Sequence, residues 1–263
     1  MKIIAECCLN HGGDMTNAKQ LITDAKQCGC DIVKFQYLNA DDLNMDMCNE
    51  EDYKYYKKRQ LDLNQLMELK MYAEEEGIEW LCSVFNKKRA EEYLQLDAEW
   101  VKIGAGAALD FSLVEFCKEK FKNIIISCGM MTKKELLDLR LLISFKQIKC
   151  IYFMQTIYSM VFFYNPKIVN YNGLSIHLCN WAKIFQLMGH SIDNEMEFFE
   201  VHFKGSLSTN DSRDDECSVP KDILWQMAKY RDYFTDILKN QNNDGLKLRE
   251  RYEGKWNNIS SDK

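Results

Sequence analysis

Short apolar runs rich in β-branched residues alternate along the chain with segments whose apolar residues recur at helical period. The short runs have the length and composition of β-strands, and they lie at residues 2–6, 31–36, 79–83, 100–104, 123–127, 150–155, 173–177 and 196–203. The helical segments lie between them, at residues 16–27, 61–76, 87–96, 110–120, 132–145 and 180–188. Strand and helix therefore take turns along most of the chain.

This alternation is typical of parallel βαβ units, and eight strands favour a closed (β/α)8 TIM barrel, a single α/β domain. An open, doubly wound sheet is the alternative. Helix-start signals agree with this phasing, because Thr132 is followed three residues later by Glu135 in a capping-box pattern. The predicted helix thus begins shortly after a predicted strand ends.

Two polar regions interrupt or follow the alternation. Residues 38–60 have no clear period, so we expect them to form a long loop after the second strand, of the kind that covers a site. A last helix is predicted over residues 221–238. Residues 239–263 are polar and Asn-rich, which predicts a tail after a barrel domain of residues 1–238.

Composition narrows the classes of function. A net charge of −6 argues against broad nucleic-acid binding, so a small anionic ligand would need a local group of cations. No apolar stretch approaches the roughly 20 residues of a membrane span. The first residues lack a secretory signal, so we expect a cytoplasmic protein whose eleven cysteines remain thiols.

The candidate chemistry lies at the carboxyl ends of the predicted strands, which meet at one mouth of a parallel barrel. His177 and His202 end the seventh and eighth strands. Imidazoles on neighbouring strands can share a divalent metal such as Mn²⁺, Fe²⁺, Co²⁺ or Zn²⁺. The alternative is that each histidine is a structural residue of the core or surface.

A second group of polar strand ends could bind a phosphate or carboxylate group, with lysines supplying charge and hydroxyls supplying direction. Its members are Lys34, Ser83, Lys102, Ser127 and Ser175. A third group follows the first strand, where Glu6, Asn10 and His11 could orient a substrate or move a proton. Asn-His-Gly-Gly is also ordinary turn chemistry, so this third group has a structural interpretation as well.

Short motifs at these strand ends resemble those of the N-acetylneuraminate (sialic acid) synthase family, and they occur in the same order. AECCLNHGGD at residues 5–14 is similar to A-E-x-x-x-N-H-x-G, and DIVKFQ at residues 31–36 to D-x-V-K-F-Q. VKIGAG at residues 101–106 is similar to K-I-G-S-G-E, and SCGM at residues 127–130 to S-T-G-M. Weaker similarity is found for TIY at 156–158, LSIH at 174–177 and EVHF at 200–203.

The resemblance implies a reaction and a set of ligands. Members of this family condense phosphoenolpyruvate with an N-acetylated amino sugar in its aldehyde form, giving a nine-carbon acidic sugar and phosphate with help from a divalent metal. By this resemblance His177 and His202 hold the metal, expected to be Mn²⁺ with Mg²⁺ or Co²⁺ as alternatives, and His177 takes part in catalysis. The two lysines and three serines bind phosphoenolpyruvate. The remaining matched residues are expected beside the reacting carbons or the sugar: Glu6, Asn10, Gln36, Tyr158 and Asp214.

The sequence also departs from the family pattern. Ala105 and Ala107 stand in place of the Ser and Glu of K-I-G-S-G-E, Ile176 in place of the Asp of S-D-H, and VFN at residues 84–86 in place of P-F-D. We expect no counterpart of the family's C-terminal antifreeze-like domain after Leu238, and a homodimer is an expectation because family members are commonly dimeric. Two other functions stay open: a non-catalytic barrel that binds a sugar or a partner, and a metal-dependent lyase or isomerase.

Overall fold

Eight parallel strands close into a barrel in chain order. The computed structural model describes residues 1–142, 148–154, 172–177, 180–209 and 211–256. The strands are β1 Lys2–Glu6, β2 Ile32–Tyr37, β3 Glu79–Val84, β4 Trp100–Ile103, β5 Asn123–Ser127, β6 Ile148–Met154, β7 Gly173–Ile176 and β8 Phe198–His202. Pairing of β1 with both β2 and β8 completes the ring, which confirms the predicted TIM barrel.

Helices connect the strands and pack around the barrel. In the described part of the chain they are α1 Met15–Gln27, α2 Glu50–Arg59, α3 Leu63–Glu76, α4 Lys87–Tyr93, α5 Phe111–Lys120, α6 Lys133–Leu142, α7 Trp181–Asp193 and α8 Lys221–Trp256. None of the described helices is long and apolar enough to cross a membrane. The nine cysteines whose side chains the structure describes form no disulfide bond.

Period-two alternation along the strands separates an apolar base of the barrel from a polar mouth. Side chains at the base pack inside the barrel as one buried cluster: Ile4, Ile32, Leu81, Ile125 and Phe198. Two residues further along the same five strands, the inward positions are polar and buried: Glu6, Lys34, Ser83, Ser127 and Glu200. Every second residue of a strand faces the same way, so a polar layer lies directly above the apolar base.

A glycine at the start of β7 makes room for the largest residue of the barrel base. A Cβ atom at Gly173 would lie 2.3 Å from the carbonyl oxygen of Phe198 and 2.8 Å from its Cβ. No side chain fits at that distance, because real Cβ contacts are longer. The Phe198 ring can therefore fill the barrel interior, where it meets Trp100 edge-on at 5.8 Å between ring centroids.

The prediction of an irregular loop over residues 38–60 is wrong in its second half, where α2 forms. The sequence EEDYKYYKKR has no apolar stripe, so the periodicity rule fails for it. The helix begins instead with a capping box, in which Asn49 and Asp52 each accept the other's backbone N–H. Acidic residues in its first turn and basic residues in its last turn also favour the helix dipole.

The last helix, α8, continues to Trp256, beyond the predicted end at Leu238. The added segment lacks an apolar period but contains many residues of high helix propensity, including Lys, Arg, Glu, Gln and Leu. Propensity thus extends the helix where the hydrophobic pattern gives no signal. The division of the chain at residue 238 into a barrel and a tail stays a prediction.

Candidate active site

A cavity of about 280 Å³ opens at the carboxyl ends of the strands. Nine of the twelve predicted site residues line it: Glu6, Lys34, Gln36, Ser83, Lys102, Ser127, His177, His202 and Asp214. Tyr158 lies outside the described residues. Asn10 and Ser175 are buried beside the cavity without lining it. The barrel thus gathers predicted site residues from the ends of seven of its strands and from the segment after β8.

Two buried lysines and two buried carboxylates form the floor of this cavity. Lys34 forms an ion pair with Glu6 and donates a hydrogen bond to Ser83 Oγ at 2.7 Å. Lys102 forms an ion pair with Glu200, whose second carboxylate oxygen lies 3.9 Å from Lys34 Nζ. The two positive charges of the floor are therefore matched by two negative charges.

Burial and neighbouring charge shift the pKa values of these groups in opposite ways. Burial lowers the pKa of the Lys34 ammonium to about 7, and the charge of Glu200 offsets only part of that effect. Burial also acts to raise the pKa of Glu200, but the charges of Lys102 and Lys34, with hydrogen bonds from Lys102 and Ser175, lower it to about 2. Glu200 is therefore ionised at neutral pH, and Lys34 is close to its titration midpoint.

Two buried serine hydroxyls near the floor differ in their hydrogen bonding. Ser175 donates a hydrogen bond of 2.6 Å to Glu200 and so orients that carboxylate. Its predicted contact with the substrate stays a prediction. Ser127 Oγ is buried, lines the cavity and has no hydrogen-bond partner among the described residues. A buried hydroxyl without a partner is costly, so Ser127 offers a ready donor to a bound anion.

The two predicted metal ligands lie side by side at the ends of β7 and β8. The rings of His177 and His202 are 4.5 Å apart between centroids. His177 Nε2 is 3.1 Å from Asp214 Oδ1 and 3.1 Å from Cys217 Sγ. Burial lowers the pKa of His202 to about 3, and the charge of His177 adds to this effect. His202 is therefore neutral at neutral pH, the form that can bind a metal.

The carboxylate of Asp214 lies beside the two histidines, in the same group of donor atoms. Burial acts to raise its pKa, but the hydrogen bond from His177 and the charge of His202 lower it to about 2. Its other oxygen accepts a hydrogen bond from the Cys8 thiol at 2.6 Å, and Gln36 Nε2 donates to the same sulfur at 3.1 Å. Cys8 has a left-handed backbone with φ of 48°, which turns the chain after β1 toward the cavity.

The predicted group after β1 divides between the cavity and its support. Glu6 lines the cavity, and its Oε1 accepts the backbone N–H of Cys8 at 2.7 Å. Asn10 instead donates to the Phe203 carbonyl at 2.8 Å and to Ser218 Oγ at 2.9 Å, so it links β1 to the segment after β8. His11 is buried and accepts the backbone N–H of Gly13, as in the turn interpretation.

Residues to which the sequence analysis assigned no role complete the site. Glu200 could have been found by alternation, because it lies two residues before His202 on the same strand face. Tyr55 and Tyr56 line the mouth from α2, whose formation the periodicity rule missed. Arg213 also lines the mouth, stacks on Tyr55 at 4.4 Å and bonds Asp52 at 2.7 Å. No local pattern identifies it.

One departure from the family pattern leaves the cavity unchanged. Ile176 is fully buried in the layer between barrel and helices, since it faces the opposite side of β7 from Ser175 and His177. The apolar residue is therefore suited to its position. Ala105, by contrast, lines the cavity, so the loss of a hydroxyl at this position removes a polar group from the wall.

Two curated proteins are similar in sequence to about half of this chain. N-acetylneuraminate-9-phosphate synthase of Homo sapiens is 34% identical over 141 residues, which cover 49% of this chain and 39% of that protein. N,N'-diacetyllegionaminic acid synthase of Legionella pneumophila is 31% identical over 148 residues, which cover 51% of this chain and 41% of that protein. The matched segments span less than half the length of these curated relatives.

The fold extends the similarity over almost the whole chain. The crystal structure of an N-acetylneuraminic acid (sialic acid) synthetase from Leptospira borgpetersenii superposes with a TM-score of 0.73 and 17% identity, covering 94% of this chain and 90% of that chain. The profile of the NeuB family matches residues 21–156, more than half of the chain. Several strand ends within these matched residues line the cavity described above. The chain belongs to the NeuB family.

Proposed function

We propose that this barrel condenses phosphoenolpyruvate with an N-acetylated amino sugar aldehyde and releases phosphate, giving a sialic-acid-like nonulosonic acid. The curated relatives are synthases of N-acetylneuraminate 9-phosphate and of N,N'-diacetyllegionaminic acid, which are sugars of this class. The observation that carries the proposal is the meeting of a lysine-rich floor and a histidine pair in one cavity. Such a cavity can hold an anionic substrate and a reacting carbonyl next to each other.

The floor provides the contacts that the phosphate and carboxylate of phosphoenolpyruvate need. Lys34 and Lys102 supply the charges, while Ser83 and Ser127 supply directed hydrogen bonds. A phosphate beside Lys34 would raise the pKa of that ammonium from about 7, so substrate binding favours the charged lysine. Glu200 keeps Lys102 in place before the substrate arrives.

The histidine group fits a divalent cation by its own chemistry. Nδ1 of His202 is buried without a hydrogen-bond partner among the described residues, and the carboxylate of Asp214 lies within the same group of donor atoms. His177 and His202 would hold the ion, with Mn²⁺ the first expectation from the family. When bound, a divalent ion supplies Lewis-acid polarisation of the sugar carbonyl.

Another part of the cavity wall offers contacts for a sugar. Tyr55 and Tyr56 on α2 present aromatic side chains to the mouth, and Arg213 presents a guanidinium group held by Asp52. Aromatic faces and guanidinium donors suit the hydroxyl and amide groups of an amino sugar. Glu6, a carboxylate of the floor that lines the cavity, is placed to orient a substrate or to accept a proton.

The test is release of inorganic phosphate from phosphoenolpyruvate across a panel of N-acetylated amino sugars, with Mn²⁺, Co²⁺ and Zn²⁺ supplied in turn. We expect sugar-dependent release that His177→Ala removes. His190→Ala is the matched control, because His190 lies on α7 outside the cavity lining. If the protein binds phosphoenolpyruvate but releases no phosphate with any sugar and metal, the proposal that it is a complete synthase is contradicted. If it does not bind phosphoenolpyruvate, the proposal that the floor binds this substrate is contradicted.

A further inference from the structure

The histidine group contains a thiol that the family resemblance does not assign. One ligand atom from each of His177, His202, Asp214 and Cys217 lies within 4.8 Å of the other three. The sulfur of Cys217 is 3.1 Å from His177 Nε2, the same distance that separates this nitrogen from Asp214 Oδ1. Four potential donors of three chemical kinds therefore lie close together beside the histidine pair.

The position of Cys217 is fixed by the fold of the segment after β8. Residues Asp215–Cys217 form one turn of 3-10 helix, and the Cys217 backbone N–H bonds the Asp214 carbonyl at 3.2 Å. Ser218 Oγ donates to the same carbonyl at 2.6 Å, and buried Asn10 donates in turn to Ser218 at 2.9 Å. The conformation that brings the thiol to the histidines is thus held by three hydrogen bonds.

A second observation points to a ligand at this place. His202 is 95% buried, since 5% of its surface is exposed, and its Nδ1 atom has no hydrogen-bond partner among the described residues. A buried polar atom without a partner costs roughly 1–3 kcal/mol. A native protein retains such an atom where a ligand or ion completes the site.

We infer that Cys217 is a metal ligand, and that the site made by His177, His202, Asp214 and Cys217 selects a thiolate-binding ion such as Zn²⁺, Co²⁺ or Fe²⁺ over Mn²⁺ or Mg²⁺. Thiolate and imidazole together suit zinc and its neighbours, whereas Mg²⁺ and Mn²⁺ favour carboxylate, carbonyl and water oxygens. The inference deepens the proposed function at the same site and rests on the two histidines binding a metal there. Asn10 then helps to position the segment that carries Asp214 and Cys217.

Cobalt is the most direct probe, because a cobalt–thiolate bond gives an intense ligand-to-metal charge-transfer band in the near ultraviolet. We expect the full chain, stripped with a chelator and loaded with one equivalent of Co²⁺, to show this band. Cys217→Ser and His177→Ala are each expected to remove it. Cys48→Ser is the matched control and is expected to keep it, since Cys48 is not one of the four donor residues.

Competition between metals provides the quantitative test. Zn²⁺ binds most protein sites more tightly than Mn²⁺, so a bare preference for zinc decides nothing. The change in affinity on substitution is informative. Loss of an outer-shell partner alone costs about 10–100-fold, so loss of a direct ligand in Cys217→Ser is expected to weaken Zn²⁺ binding by more than about tenfold. Mn²⁺ binding is expected to change by less than about threefold, since a serine oxygen suits that ion as well.

Each outcome decides between the two proposals. If wild-type protein binds Co²⁺ or Mn²⁺ in a manner that depends on His177 but shows no charge-transfer band, Cys217 is not a ligand and the proposed synthase site stands. Equal losses of Zn²⁺ and Mn²⁺ affinity in Cys217→Ser would likewise overturn the selectivity. If no metal binding depends on His177, both proposals fail. Circular dichroism of each variant checks folding, and absence of the band in the wild-type protein rules out Cys217 as a ligand even if a variant unfolds.

Discussion

Glu200 is the carboxylate on which both buried lysines of the barrel converge, with an ion pair to Lys102 and a distance of 3.9 Å to Lys34. Removing one partner of a buried pair leaves an uncompensated charge, so Glu200→Gln is expected to lower the free energy of unfolding by about 3–5 kcal/mol. Urea denaturation measures this loss. Glu99→Gln is the control, because Glu99 pairs with Lys122 on the exposed surface and is expected to matter little.

The loss in Glu200→Gln also depends on pH, through Lys34. Burial lowers the pKa of Lys34 to about 7 in the folded protein, so above that pH the unfolded chain binds more protons and stability rises toward the unfolded pKa. Without Glu200 the folded pKa falls further, and the penalty is smaller at about pH 9 than at about pH 6. An equal loss of stability at both pH values would show that groups other than Glu200 stabilise the charged form of Lys34.

At the scale of single residues, alternation predicts orientation well and long-range partners badly. The rule that places His202 inside the barrel also places Glu200 there, and it turns Ile176 toward the helices. It cannot find Cys217, because the thiol reaches the histidines through a 3-10 turn held by Asn10, more than two hundred residues earlier. Such a contact depends on tertiary structure, which local pattern does not encode.

Helix α2 is an element held by its ends rather than by an apolar face. Its capping box uses Asn49, whereas α3 has a capping box at Asp62 and buries Leu66, Leu69 and Ala73 in the core. The strand and helix order could be read from periodicity because most elements bury such a face. The polar helix could have been found only from its cap and its end charges.

The two caps are therefore expected to respond differently to removal. Asn49→Ala loses about 1 kcal/mol of local helix stability, and amide hydrogen exchange should rise in residues 50–59 while the urea midpoint hardly moves. Asp62→Ala loses a similar amount, but α3 packs on the core, so its urea midpoint should fall. A fall of the midpoint in Asn49→Ala equal to that in Asp62→Ala would show that α2 unfolds with the barrel.

At the scale of the whole molecule, the site must bind an anion in a protein of net charge −6. Its floor gives no net attraction, since Lys34 and Lys102 are already matched by Glu6 and Glu200. His202 adds no charge either, because burial keeps it neutral at neutral pH. A bound divalent cation is the group that would offset the negative charge of Asp214 and so reduce the repulsion of an anion at this end of the cavity.

Phosphoenolpyruvate and metal are therefore expected to bind cooperatively. Titration calorimetry of phosphoenolpyruvate should show an affinity about 5–150-fold higher with saturating metal than after chelation, the usual range of coupling between sites. Linkage requires phosphoenolpyruvate to tighten metal binding by the same factor, which a reverse titration checks. His177→Ala should remove the coupling in both directions, and His190→Ala should leave it intact. Equal phosphoenolpyruvate affinity with and without metal would mean that the paired lysines alone reorganise to hold the anion.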